Sequence, residues 1–175
     1  MKRFRPAHWS ARFFTSIRPG RPAPDDEAWA RGLLTGREGE LFARMSNPDR
    51  RHAVAVAREV DATLAPSTDR RDTVLAAALL HDVGKTVSGL RTYGRVLATL
   101  SGALGGRGWS EIWQDSTGFT RKVGLYLRYP ILGAEMLQVA ESDPWVIAWA
   151  REHHEPEEDW TVPVEVFRVV AAADR

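Results

Sequence analysis

The chain has 175 residues, which is enough for one domain with a sizeable hydrophobic core. Hydrophobic residues make up 43% and charged residues 27%, and a net charge of +1 gives no overall attraction to nucleic acid or membranes. Because the sequence contains no cysteine, disulfides, thiolate zinc sites and cysteine nucleophiles are excluded, and only nitrogen and oxygen atoms can hold a metal.

The sequence also bears on location. No apolar run reaches the roughly 20 residues that a membrane span requires, and no signal-type apolar core follows the basic start. We therefore expect a cytoplasmic protein without a transmembrane segment.

Residues 1–24 differ in composition from the rest and are predicted to form an N-terminal arm before a domain at 25–175. The arm has no acidic residue, several prolines that interrupt any long helix, and aromatic rings between its basic residues. Two interpretations stay open: weak contact with an anionic surface such as lipid or nucleic acid, or a loose tail that packs its rings on the domain. Its basic and aromatic residues include Lys2, Arg3, Arg5, Trp9, Arg12, Phe13, Phe14, Arg18 and Arg21.

The first helices are predicted from acidic starts, proline positions and apolar spacing. The acidic stretch 25–27 suits a first helical turn, and apolar positions follow as far as Met45. Asn47 followed by Pro48 indicates a cap and a first helical position, which opens a helix to about Leu64. The inner face of that helix is expected to comprise Ala55, Val56 and Val60.

The next helix carries the apolar run 76–80 to the doublet His81-Asp82 and is expected to stop at Gly84. Beyond it we predict a helix over about 90–100 and a flexible glycine-rich link at 102–108.

The C-terminal part is also predicted to be helical. Helical pieces over 119–129 and 131–141 are separated by Pro130. Asp143-Pro144 opens a helix that ends at His153 and His154.

The last helix opens at Pro163 and places Asp174 on the face of Phe167, Val170 and Ala171. Since no useful period-2 strand pattern is present, the predicted fold class is all-α.

The doublet His81-Asp82 lies at the end of a packed apolar helix, so both side chains project beyond it. An imidazole beside a carboxylate is a ligand pair for a borderline or hard divalent metal. The pair alone is weak support because such pairs arise by chance. Four further candidates strengthen it: His52, His153-His154 and Asp174.

His52 and Asp174 each have an alternative interpretation. His52 lies one turn before inward-facing positions, where a histidine is more often a hydrogen-bonded core residue than a ligand. Asp174 faces the core, and a buried carboxylate requires an arginine, a hydrogen-bond network or a metal. Its alternative is a surface carboxylate on a frayed terminus.

The order His52, His81-Asp82 and Asp174 resembles the HD superfamily of metal-dependent phosphohydrolases. That family is named for the doublet, and its signature of a histidine, a His-Asp pair and a later aspartate lies on a helical bundle. The similarity covers about 35–175, and its specific parts are residues 49–57, 78–85, 153–155 and 171–174. Residues 93–99 and 148–154 are further similar to an actinobacterial subgroup.

The resemblance implies an HD-domain helical bundle that holds one divalent metal, namely Mn, Mg, Co, Ni, Fe or Zn. It also implies hydrolysis of a small phosphorylated substrate, with a nucleotide favoured. Such a metal lowers the pKa of its bound water and polarises the phosphorus–oxygen bond. The implied ligands are His52, His81, Asp82 and Asp174.

By the same resemblance, the catalytic residues are Asp82, Lys85, His153 and His154, and the substrate-binding residues are Arg51 and Lys85. Either histidine could protonate the leaving oxygen or hold a phosphate, because imidazole titrates near working pH. The alternatives are solvated cations for Arg51 and Lys85 and exposed rings for the two histidines.

Departures from the family pattern reduce the number of activities that the resemblance implies. The segment 128–135 carries Tyr129 where many relatives have a histidine, and no histidine lies between Asp82 and His153. A second metal would lack a usual ligand, so a single-metal phosphomonoesterase or nucleotidase fits best.

Two other hypotheses stay open. One is a non-catalytic HD module that binds a nucleotide or a protein partner in a regulatory role, motivated by Tyr129. The other is a regulator associated with membranes or nucleic acid through 1–24. Helical HD bundles often self-associate, so a homo-oligomer also remains an expectation.

Overall fold

The computed structural model describes residues 20–88 and 117–175, and within them every regular element is a helix. The all-α prediction is confirmed for this part of the chain. The helix predicted over about 90–100, the link at 102–108 and most of the N-terminal arm lie outside the described residues. The elements in chain order are α1 (Pro24–Gly32), α2 (Gly36–Arg44), α3 (Asn47–Thr63), α4 (Arg71–Leu80), α5 (Lys85–Ser88), α6 (Gly118–Leu127), α7 (Tyr129–Val139), α8 (Pro144–Glu152), a 3₁₀ turn (Glu157–Asp159) and α9 (Val164–Ala173).

Local sequence explains where most of these helices begin. The acidic residues 25–27 occupy the first turn of α1, as predicted, where carboxylates stabilise the positive end of the helix dipole. Asp143 caps α8 by accepting a hydrogen bond from the Trp145 amide at 2.9 Å. Pro163 directly precedes α9. Pro130 does not separate two helices as predicted, because the break falls at Arg128. Pro130 lies in the first turn of α7, where its missing N–H has no cost.

Two helix starts differ from the sequence prediction. Thr35 and Glu38 form a capping box at α2, in which the Glu38 carboxylate accepts from the Thr35 amide at 2.9 Å. At α3 the cap is Ser46 rather than Asn47, because the extended Ser46 backbone directs its hydroxyl to the Asp49 amide. Asn47 lies in the first turn and accepts a hydrogen bond from Arg50 instead.

Helix α4 lies at the centre of the described core, with α2, α3, α8 and α9 packed against it. Every residue from Val74 to Leu80 is buried, so this helix is apolar around its whole circumference. On α3, Val56 and Val60 face the core as predicted, whereas Ala55 is exposed. The core therefore surrounds α4, and the turn after its C-terminal end lies among the helices packed around it.

Gly84 follows α4 in a turn, and close packing explains why it is glycine. A Cβ at this position would lie 1.9 Å from the Tyr129 carbonyl oxygen and 2.6 Å from the Gly133 nitrogen, both in α7. The sequence predicts that the helix stops at Gly84, whereas α4 ends at Leu80. Gly84 does not have a positive φ, which among the described glycines occurs only at Gly20 and Gly118. Gly84 instead lets the turn after α4 pack directly on the backbone of α7.

No helix among the described residues is both long and apolar enough to cross a bilayer.

Replacement of Gly84 by alanine should destabilise the fold by at least about 2 kcal/mol, because the new methyl group meets backbone atoms that cannot rotate away. Gly39→Ala in α2 is the matched control, since a Cβ there meets nothing within 4 Å. That variant should be neutral or stabilising by about 0.5–1 kcal/mol. Urea unfolding measures both, and equal midpoints would contradict the packing argument.

Candidate metal centre

His81 and Asp82 lie directly after α4, in the turn that its core packing holds in place. The His81 Nδ1 atom donates a hydrogen bond to the Ala78 carbonyl oxygen at 2.8 Å, which fixes the orientation of the ring. The exposed fractions of the His81 and Asp82 side chains are only 2% and 3%. The Nε2 atom of His81 lies 3.6 Å from Asp82 Oδ2.

His52 from α3 and Asp174 from the end of α9 meet the doublet from two other helices. His52 Nε2 lies 2.8 Å from Asp174 Oδ1, and the same carboxylate oxygen lies 3.4 Å from His81 Nε2. Asp174 is half-buried, so it is not a frayed surface residue. Sequence-predicted residues that are 122 positions apart are therefore in direct contact.

The geometry of the four side chains suits a single cation. One ligand atom from each of His52, His81 and Asp82 lies within 4.8 Å of the others, and Asp174 contacts both histidines. Ligands on a common ion at about 2.0–2.2 Å are roughly 3–3.5 Å apart. The separations of 2.8, 3.4 and 3.6 Å are close to that spacing. We refer to His52, His81, Asp82 and Asp174 as the ligand cluster.

The Nε2 atom of His81 is the atom of the cluster most in need of a positive partner. This atom is buried and has no hydrogen-bond partner among the described residues. Because Nδ1 donates to a carbonyl, a neutral ring would aim the Nε2 lone pair at the carboxylates of Asp82 and Asp174. That arrangement is repulsive unless Nε2 binds a proton or a metal ion.

Without a metal, protonation satisfies this atom. Burial acts to lower the pKa of His81, but the charges of Asp82 and Asp174 outweigh it and raise the pKa to about 9. Burial acts in the opposite sense on the two carboxyls. Lys85 and His81 nevertheless hold the pKa of Asp82 well below its usual range, and His81 and His52 do the same for Asp174. Both carboxylates therefore stay ionised.

His153 extends the cluster from the end of α8. Its Nδ1 atom lies 3.2 and 3.1 Å from the carbonyl oxygens of Trp149 and Ala150, which leaves Nε2 as the acceptor atom. That Nε2 lies 3.9 Å from Asp82 Oδ1. Burial and the neighbouring His81 and His154 lower the pKa of His153 to about 3, so the ring is neutral.

Tyr129 is the site residue that the sequence interpretation missed, since it counted this tyrosine only as a missing histidine. Its hydroxyl lies 3.2 Å from His153 Nε2 and hydrogen-bonds His154 Nε2. Because His153 Nε2 is an acceptor, the hydroxyl donates to it and accepts from His154. Burial and then the Asp82 charge raise the pKa of Tyr129, so it stays protonated. The packing of α7 against α8 and against the turn after α4 brings Tyr129 here.

The two predicted phosphate-binding cations lie in different surroundings. Lys85 donates a hydrogen bond to Asp82 Oδ2, and its ammonium lies 4.9 Å from the centre of the Tyr129 ring. Arg51 is half-buried and donates to the Gly20 carbonyl oxygen at 3.5 Å, at the N-terminal edge of the described chain. The structure thus joins Lys85 to the ligand cluster. His154 is exposed beside it.

No family model, no curated protein and no solved structure matches the chain significantly.

With divalent metal removed by a chelator, the protonated His81 should stabilise the folded protein at neutral pH. This stabilisation should be lost in alkaline solution, where the ring loses its proton. Its pKa is about 9 when folded and 6.5 as a free side chain, so the folded state binds the proton more tightly. The contribution is complete below pH 6.5 and declines as the pH rises toward 9. We expect the difference in unfolding free energy between wild type and His81→Gln to shrink over that range.

Guanidinium unfolding at pH 6 and at pH 9.5 measures this difference, with Gly39→Ala as the control for general alkaline effects. A constant difference across the two pH values would show that His81 is not protonated in the metal-free fold.

Proposed function

We propose that this chain is a metal-dependent phosphohydrolase of the phosphomonoesterase or nucleotidase type, acting on a small phosphorylated metabolite such as a nucleotide. The observation that carries the proposal is the unpartnered His81 Nε2, buried between the ionised carboxylates of Asp82 and Asp174. The substrate class comes from the HD resemblance of the sequence.

The donor set fits a divalent metal. His52, His81, Asp82 and Asp174 would hold it through two imidazole nitrogens and two carboxylates, the ligand types suited to Mn, Mg, Co, Ni, Fe or Zn. The hydrogen bond from His81 Nδ1 to a backbone carbonyl is the orienting contact that metal-ligating histidines usually make. When bound, the metal supplies Lewis acidity and a water of lowered pKa.

Other residues of the chain would bind the substrate and handle protons. The Lys85 ammonium is the charged group nearest the ligand cluster and suits a phosphate oxygen. The neutral His153 holds Nε2 beside Asp82, where this atom accepts from the Tyr129 hydroxyl and would accept a proton once that hydrogen bond breaks. The exposed His154 can exchange protons with solvent and contacts the Tyr129 hydroxyl, so it is the better placed of the two to serve a leaving oxygen.

A non-catalytic binding module is the second candidate, and two contacts favour it. Lys85 already neutralises the Asp82 carboxylate that a metal would use. The Tyr129 hydroxyl also engages the Nε2 atoms of both His153 and His154, which would otherwise face the substrate. Such a module would bind a nucleotide or a protein partner without turnover.

Metal content and phosphatase activity should be measured on the same purified samples of wild type, His81→Ala and Asp82→Ala. We expect about one divalent metal per chain in wild type and its loss in both variants. Hydrolysis should fall by at least about 100-fold, because loss of an outer-shell partner alone costs up to that much. Asp159→Asn, which removes an exposed carboxylate from the 3₁₀ turn, is the control.

The outcomes separate the two candidates. Bound metal without hydrolysis across a broad panel of phosphate esters would favour the binding module. Failure to bind any of several divalent ions would mean that the cluster is structural, and the proposed activity would be wrong.

A further inference from the structure

The contact between Lys85 and Asp82 is unusual for a site that is proposed to hold a cation. The Lys85 ammonium donates to Asp82 Oδ2, which is also the oxygen 3.6 Å from the unpartnered His81 Nε2. An ammonium and a metal ion that bind this oxygen together would share its single negative charge. Each of the two cations would therefore be bound more weakly than it would be alone. The lysine therefore lies at a position where it competes with the metal.

Lys85 has the freedom to leave this position. It is the first residue of α5, and its backbone amide donates a hydrogen bond to the Asp82 carbonyl oxygen. Its side chain is 19% exposed. Four rotatable carbons carry the charge, so the ammonium can move while the backbone stays fixed against α7 through Gly84. Only the far end of the side chain has to move.

A displaced Lys85 ammonium requires a new partner. A largely buried ammonium is costly without an anion, although the Tyr129 ring face gives it partial support. A phosphate group arriving beside the cluster would supply that anion. Metal and phosphate therefore both favour the state in which the Lys85 ammonium has left Asp82. Each ligand should for this reason bind more tightly when the other is present.

Resting on the proposed function, we propose that Lys85 is an exchangeable counter-ion: it neutralises Asp82 in the metal-free protein and transfers to a phosphate anion when a divalent cation binds. This role couples cation and anion binding at one site. It also reduces the affinity for metal in the absence of phosphate.

The test is titration of the full chain with Mn²⁺, following free Mn²⁺ by electron paramagnetic resonance, with and without inorganic phosphate. Lys85→Met should bind Mn²⁺ roughly 10- to 100-fold more tightly than wild type without phosphate, because a charge-assisted hydrogen bond to Asp82 no longer competes. Phosphate should tighten Mn²⁺ binding by wild type and do so much less in the variant.

Two further variants control for charge and folding. Lys122→Met removes an exposed lysine from α6 and should leave Mn²⁺ affinity near that of wild type. Lys85→Arg keeps a cation beside Asp82 and should also stay near wild type. If Lys85→Met does not fold by circular dichroism, Lys85→Gln provides the same neutralisation with a polar side chain.

An equal or weaker Mn²⁺ affinity in the folded neutral variant, with wild type binding the ion, would overturn this inference alone. Absence of hydrolysis by a protein that shows the affinity change would instead defeat the proposed activity and leave the counter-ion role supported.

Discussion

Asp82 lies in the turn directly after the apolar helix α4, and its ionised carboxylate is almost wholly removed from water. Burial of a single carboxylate is costly, so neighbouring groups have to offset its charge. Lys85 and His81 do so from the same turn, whereas His153, which approaches from α8, is neutral and adds no positive charge. Helices α3, α7, α8 and α9 also bring side chains to this point, namely His52, Tyr129, His153 and Asp174.

The neutralising groups are not equivalent. His81 is held by its bond to Ala78 and cannot turn away, whereas Lys85 is tethered only through a flexible chain. His81 keeps its Nε2 atom directed between two carboxylates. The Lys85 ammonium can move when a cation or an anion binds. A site with one fixed and one movable positive partner is better suited to exchange ligands than to serve as a static buried ion pair.

Sequence reasoning predicted the parts of the site that depend on local periodicity. Periodicity placed His52, His81, Asp82 and Asp174 each on or directly after its own helix. Their grouping into one site came from the resemblance to the HD superfamily. The Thr35 capping box was visible in the sequence pattern and was overlooked. The choice of Ser46 over Asn47 as a cap depends on the backbone of a single residue, which composition does not determine.

Tyr129 could not be placed from the sequence, because its position depends on how α7 approaches the turn after α4. That approach is set by Gly84 and Gly133, whose backbones nearly touch. A glycine that the sequence explained as a helix stop is in fact a packing contact between distant segments.

Three of the residues around the proposed cation are the C-terminal caps of helices: His81 for α4, His153 for α8 and Asp174 for α9. Each helix end carries roughly half a negative elementary charge from its last carbonyl groups. The backbone therefore contributes a negative potential at this point that no side-chain substitution removes. The attraction for a positive charge therefore belongs partly to the topology of the bundle, and it would persist after replacement of any one side chain at the meeting point of these helices.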